Sequence, residues 1–84
     1  MKKIFKYSIP ISKTKFSILL PYEYKVLRVG FQAEQLFMWA EFSDGAQNVQ
    51  YDFQVFGTGQ DIKPGAEYVA TYELGPLVMH LYRM

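Results

Sequence analysis

The chain contains no cysteine, which excludes disulfide frameworks, zinc–thiolate sites and thiol nucleophiles together. It has one histidine, His80, so an imidazole-rich metal site is excluded, and no HxH or HxxE spacing occurs. Neither the GxGxxG dinucleotide fingerprint nor a Walker-type GxxxxGKS/T loop is present, and the serines fall outside any GxSxG elbow. No apolar run approaches the roughly 20 residues of a membrane-spanning helix. "MKKIFKYSIP" starts basic but regains charge before a signal-type apolar core develops. The expectation is a soluble protein of the cytoplasm without membrane association. Helical periodicity is also missing, since no window of a dozen residues repeats its apolar positions every 3.6 residues.

What the chain does have is aromatic and extended. Half of its 84 residues are hydrophobic, and it carries seven Tyr, seven Phe and one Trp. Each ring can bury about 150–250 Å². That stock offsets the handicap of a chain this short, which covers only roughly 60–65% of its unfolded surface on folding. The chain is expected to form one domain over residues 1–84, too small to enclose a large cavity and keep a full core. A binding site is therefore expected at a surface groove or a subunit interface, and the protein is expected to form a homo-oligomer.

Alternation with period two runs along the chain. "KIFKYSI" sets Phe5, Tyr7 and Ile9 against Ile4, Lys6 and Ser8, and "KFSILL" continues in extended form to Pro21. "YKVLRVGFQ" sets Leu27, Val29 and Phe31 against Arg28, Gly30 and Gln32. "LFMWAEF" is apolar on both faces, with Leu36, Met38, Ala40 and Phe42 on one and Phe37 and Trp39 on the other, which predicts a central strand. "VQYDFQVF" points Val49, Tyr51, Phe53 and Val55 inward, and "EYVATYEL" and "LVMHLYRM" flank a Gly75-Pro76 turn. The predicted fold is all-β: a small antiparallel sandwich or partly open barrel of six to seven short strands.

Charge is divided along the chain. Seven of the nine basic residues fall in residues 1–28, where Glu23 is the only carboxylate; residues 29–84 hold Lys63 and Arg83 against seven carboxylates. Either strands of the two halves pair and neutralise each other across a sheet, or the basic third forms a face for an anion. Nucleic acid is a weaker expectation, because Phe5 and Tyr7 alternate with the lysines and so point inward.

The stretch "FGTGQDI" most resembles a functional loop. Phosphate loops usually join a strand to a helix, whereas this one leads through Pro64-Gly65 into another strand, which leaves turn geometry or a backbone anion nest. His80 reads first as a satisfied strand residue and second as a ligand donor or general base. Trp39 with Phe37 reads first as an oligomer interface, then as a second core layer, then as a stacking platform. Glu41, Asp52, Asp61 and Glu73 lie on or beside strands without a pairing logic, so no catalysis, metal or cofactor is expected.

In order and spacing, "IFKYSI", "LLPYEYKVLRVGFQ", "LFMWAEF", "FQVFGTGQ" and "LVMHLY" resemble a domain-of-unknown-function family of short proteins in phages and bacteria. Its pattern has a histidine after GTG, where this chain has Gln60, and a tryptophan before the last histidine, where this chain has Met79. Trp39 and His80 match it. The resemblance implies a small soluble phage-type protein, working in a host cytoplasm if phage-encoded, with no known activity attached. A non-catalytic binder that sequesters a nucleotide-derived defence signal, of the cyclic ADP-ribose or cyclic dinucleotide type, is the leading expectation. Its pockets, at subunit interfaces, would use Trp39, Lys6, Arg28, the loop Gly57, Thr58, Gly59 and Gln60, and His80. The alternative is an inhibitor of a host defence protein or a structural interaction module.

Overall fold

The computed structural model describes all 84 residues and contains seven strands and no helix. They are β1 (Lys2–Ser8), β2 (Lys15–Pro21), β3 (Lys25–Gln32), β4 (Gln35–Ser43), β5 (Asn48–Gly57), β6 (Glu67–Leu74) and β7 (Leu77–Arg83). All pairings are antiparallel. One sheet has the order β1-β4-β3 and the other β2-β5-β7-β6, so the predicted sandwich is the form adopted.

The alternation of each strand decides what lies between the sheets. Leu36, Met38, Ala40 and Phe42 of β4 are buried while Phe37 and Trp39 on its other face are half-exposed. Phe53 and Val55 of β5 and Leu81 of β7 face them, and Ile9, Leu20 and Tyr72 complete a small core. As the double-sided apolar pattern requires, β4 is the central strand of its sheet. No second core layer covers Phe37 and Trp39, so their face is open.

Two edge strands depart from strict alternation. A bulge between Val26 and Arg28 turns Leu27 outward, so Val26, Val29 and Phe31 share the inner face instead of the expected Leu27, Val29 and Phe31. A second bulge between Tyr68 and Ala70 lies in β6. Bulges add twist at a free edge and blunt it against pairing with other chains. Here they sit on β3 and β6, edges that approach each other across the layers.

The molecule is a slab of 39 × 33 × 17 Å. Its radius of gyration is 13.0 Å, against about 12 Å for a compact chain of this length. The accessible surface is 5787 Å², where a monomer of 9.8 kDa would expose roughly 5,200 Å². The thin, open form leaves large side chains in water, among them Leu19, Tyr68 and Leu77.

Candidate functional site

The outward face of the β1-β4-β3 sheet gathers most of the distinctive chemistry. Register places Lys6 and Arg28 on either side of Trp39, and Ser8 and Gly30 on either side of Phe37. The Phe37 and Trp39 rings are 6.0 Å apart and inclined by 61°. Lys6 Nζ lies 4.4 Å from the Phe37 centroid and donates to Gln32 Oε1 at 2.9 Å, spanning the sheet over that ring. Arg28 Cζ lies 5.7 Å from the Trp39 centroid. Both contacts are cation–π arrangements. Gly30 makes room for the guanidinium: a Cβ there would come within 3.1 Å of Arg28 Nε.

The same face carries Lys2 and Lys25, and Glu41 as its only carboxylate. Lys2 pairs with Glu41 at 3.2 Å, and beyond the face Lys3 pairs with Asp44 at 3.4 Å. The pairing reading of the charge asymmetry accounts for part of the basic set. Two N-terminal lysines neutralise later carboxylates across or beside the sheet, while Lys6 and Arg28 have no acidic partner and converge on aromatic rings.

The GTG loop and His80 occupy the opposite outer face of the sandwich. His80 alternates with the core-facing Met79 and Leu81 and pairs with Phe56 and Thr71. Both of its ring nitrogens are engaged: Nε2 lies 2.9 Å from Thr58 Oγ1 and Nδ1 lies 3.0 Å from Thr71 Oγ1. Thr58 Oγ1 also lies 3.2 Å from the Val78 carbonyl, and Tyr68 Oη 2.7 Å from Thr71 Oγ1. For a neutral ring one proton order satisfies all four contacts. Tyr68 donates to Thr71, Thr71 to Nδ1, Nε2–H to Thr58, and Thr58 to the Val78 carbonyl. This chain ties β5, β6 and β7 together and leaves His80 no free nitrogen. The satisfied-residue reading of His80 is the one its geometry favours.

Within the loop, Gly59 has φ 93°, a left-handed value that a glycine adopts without strain. Gln60 closes the turn twice: its backbone N–H donates to the Gly57 carbonyl at 3.1 Å, and its Oε1 accepts from the Gly57 N–H at 2.8 Å. The Gly57 amide that an anion nest would use is thereby occupied. Beside the loop lies an open depression of about 520 Å³, bounded on the far side by Pro76–Met79. Thr58 lines this depression and His80 does not, although the two side chains are hydrogen-bonded, and Trp39, Lys6 and Arg28 lie across the slab from both. A single protomer does not unite the eight expected site residues.

Two groups with shifted pKa, Tyr24 and Arg83, meet at a third place, the seam between β3 and β6. Burial raises the Tyr24 phenol above its usual value, and the adjacent Arg83 guanidinium partly opposes this. Arg83 is itself raised, first by its hydrogen bond to Tyr24. It donates to Glu67 Oε2 at 2.9 Å and lies 5.4 Å from the Tyr51 ring. Tyr24, at the entry to β3, meets residues of the other sheet here, so the cluster latches the seam. No three His, Cys, Asp or Glu side chains converge as a metal-binding group.

Fold and faces define a class: a helix-free, two-sheet antiparallel sandwich with one aromatic–cationic outer face and one hydrogen-bonded histidine face. The chain belongs to the domain-of-unknown-function family DUF7352, which matches residues 1–84. No curated protein and no solved structure is significantly similar to it.

Proposed function

We propose that the protein is a non-catalytic binder of a nucleotide-derived ligand, and that it sequesters a defence signal of the cyclic ADP-ribose or cyclic dinucleotide type. The observation that carries this reading is the meeting of Trp39 and Phe37 with Lys6 and Arg28, two cations without acidic partners, on one outer face. Planar bases stack on such rings, at about 1–3 kcal/mol per base. Guanidinium and ammonium groups beside them meet phosphate through charge-assisted hydrogen bonds. The fully engaged His80 and closed GTG turn favour a structural part for the opposite face, and with it a binder over an enzyme.

A flat face leaves a small ligand half in water, whereas ligand pockets usually bury 70–90% or more of a drug-sized ligand. A second copy lying over the face supplies the missing wall, so the functional unit in this reading is a homo-oligomer. A phage-type protein acting in a host cytoplasm is the setting that such sequestration implies. Calorimetry of the wild-type protein against cyclic ADP-ribose and cyclic di-AMP tests the reading. Heat that vanishes in Trp39→Ala and Arg28→Ala is expected; flat titrations by folded wild-type protein sink it.

A second reading has its own support. Leu77 and Val78 are exposed beside the GTG depression, and such an apolar corner suits a host protein as well as another copy. Stoichiometric capture of a host protein by the wild type, lost in Leu77→Asp and kept in Trp39→Ala, would favour an inhibitor.

A further inference from the structure

We infer that the ligand of the aromatic–cationic face carries two nucleobases joined by a phosphodiester, and that it is a free dinucleotide. The inference rests on the nucleotide-binding reading above and narrows it. Phe37 and Trp39 stand two residues apart on the central strand, so they share a face at the spacing of alternate residues, about 6.6 Å along a strand. Each ring has its own cation, Lys6 on Phe37 and Arg28 on Trp39, and the two cations arrive from opposite edge strands. The face is therefore built as two ring–cation units, twice what one base and its phosphate require.

The inclination of 61° between the rings decides how two bases would lie. Bases stacked on these rings cannot be parallel to each other, so they are splayed, which a flexible phosphodiester linkage permits. One mononucleotide would leave the second unit idle. An ADP-ribose-type signal supplies one base with its phosphates and uses the same single unit.

Charge calls for an anionic ligand, a condition that a phosphodiester meets. Lys2, Lys6, Lys25 and Arg28 face a single carboxylate, Glu41, which Lys2 already pairs. Lys6 is held by the neutral Gln32 amide, so transfer of its ammonium to a phosphate exchanges a neutral acceptor for a charged one. A long strand is a poorer fit than a free dinucleotide. β1 and β3 are the outer strands of this sheet, so the platform is three strands wide and offers only two rings, both on β4.

Trp39 is the only tryptophan, and a base stacked on it quenches its emission. Emission is titrated with AMP, ADP-ribose, linear ApA, cyclic di-AMP and an adenine octamer. The expected result is that ApA or cyclic di-AMP binds at least about fivefold more tightly than AMP or ADP-ribose, since one further stacked base is worth that factor or more. Phe37→Ala should abolish the difference, with Phe37→Leu as the substitute where the alanine variant unfolds. Equal affinity for AMP and ApA overturns the two-base inference and leaves the nucleotide-binding reading standing. An octamer that binds more tightly per site than ApA and cyclic di-AMP overturns the free dinucleotide in favour of a single strand. No quenching by any of the five overturns the nucleotide-binding reading itself, and the inference with it.

Discussion

Burial opposes ionisation of three phenols, Tyr7, Tyr24 and Tyr72, and holds each above its usual value near 10. A raised folded value means that the folded state binds the proton more tightly than the unfolded chain does. The stability this contributes is complete below about pH 10 and is lost as pH rises through the folded values. The urea midpoint should therefore hold steady from pH 8 to 10 and fall above that. Tyr72→Phe removes one of the three phenols, so the alkaline fall should be shallower in this variant. An unchanged slope would show that the phenol is not a source. Sequence reading is strong at this scale: the burial of Phe53 and Val55 in β5 follows from alternation alone, although Val49 of the same expected set is exposed. The Gly75-Pro76 turn even sets the histidine's partner, because pairing Leu74 with Leu77 counts back to Thr71 opposite His80.

Turns and edges decide the elements. β3 and β4 are joined by Ala33 and Glu34, with φ of 51° and 65°. Positive φ at both central residues suits the tight turn that matches strand twist, yet neither residue is of the type that favours it. Each such residue costs about 1–2 kcal/mol in the left-handed region. Replacing the pair, Ala33→Asn with Glu34→Gly, should stabilise the protein by about 1 kcal/mol, read as a higher urea midpoint with an unchanged slope. A lower midpoint would mean that the native turn has contacts outweighing its backbone conformation. The short link was legible in the sequence as the three residues left between "YKVLRVGFQ" and "LFMWAEF". The bulge at Leu27 was not, because "KVLRVGF" alternates without interruption and only pairing against β4 shows where the register slips.

At the scale of the molecule, surface is the salient quantity. The 5787 Å² exposed exceeds the roughly 5,200 Å² of a compact monomer. A standard interface covers about 800 Å² per partner, so one interface would more than absorb the excess. Sedimentation equilibrium should return a multiple of the 9.8 kDa chain mass at micromolar concentration. A strictly monomeric protein up to millimolar concentration would remove the covering copy from the binding scheme and leave the nucleotide face open. Assembly of that face was beyond the sequence. Lys6 meets Trp39 because β1 pairs with β4, between residues some forty positions apart at its outer end, and no local pattern specifies closure over that distance.

Period-two patterning determined the all-β class, the inward residues of β4 and the central place of "LFMWAEF", because side-chain direction along a strand is a local property of the backbone. Tertiary structure decided that Lys6, Arg28, Phe37 and Trp39 share one outer face while the GTG turn and His80 share the other. That division depends on which strands become neighbours and where bulges shift their register, and both are set by packing between distant segments.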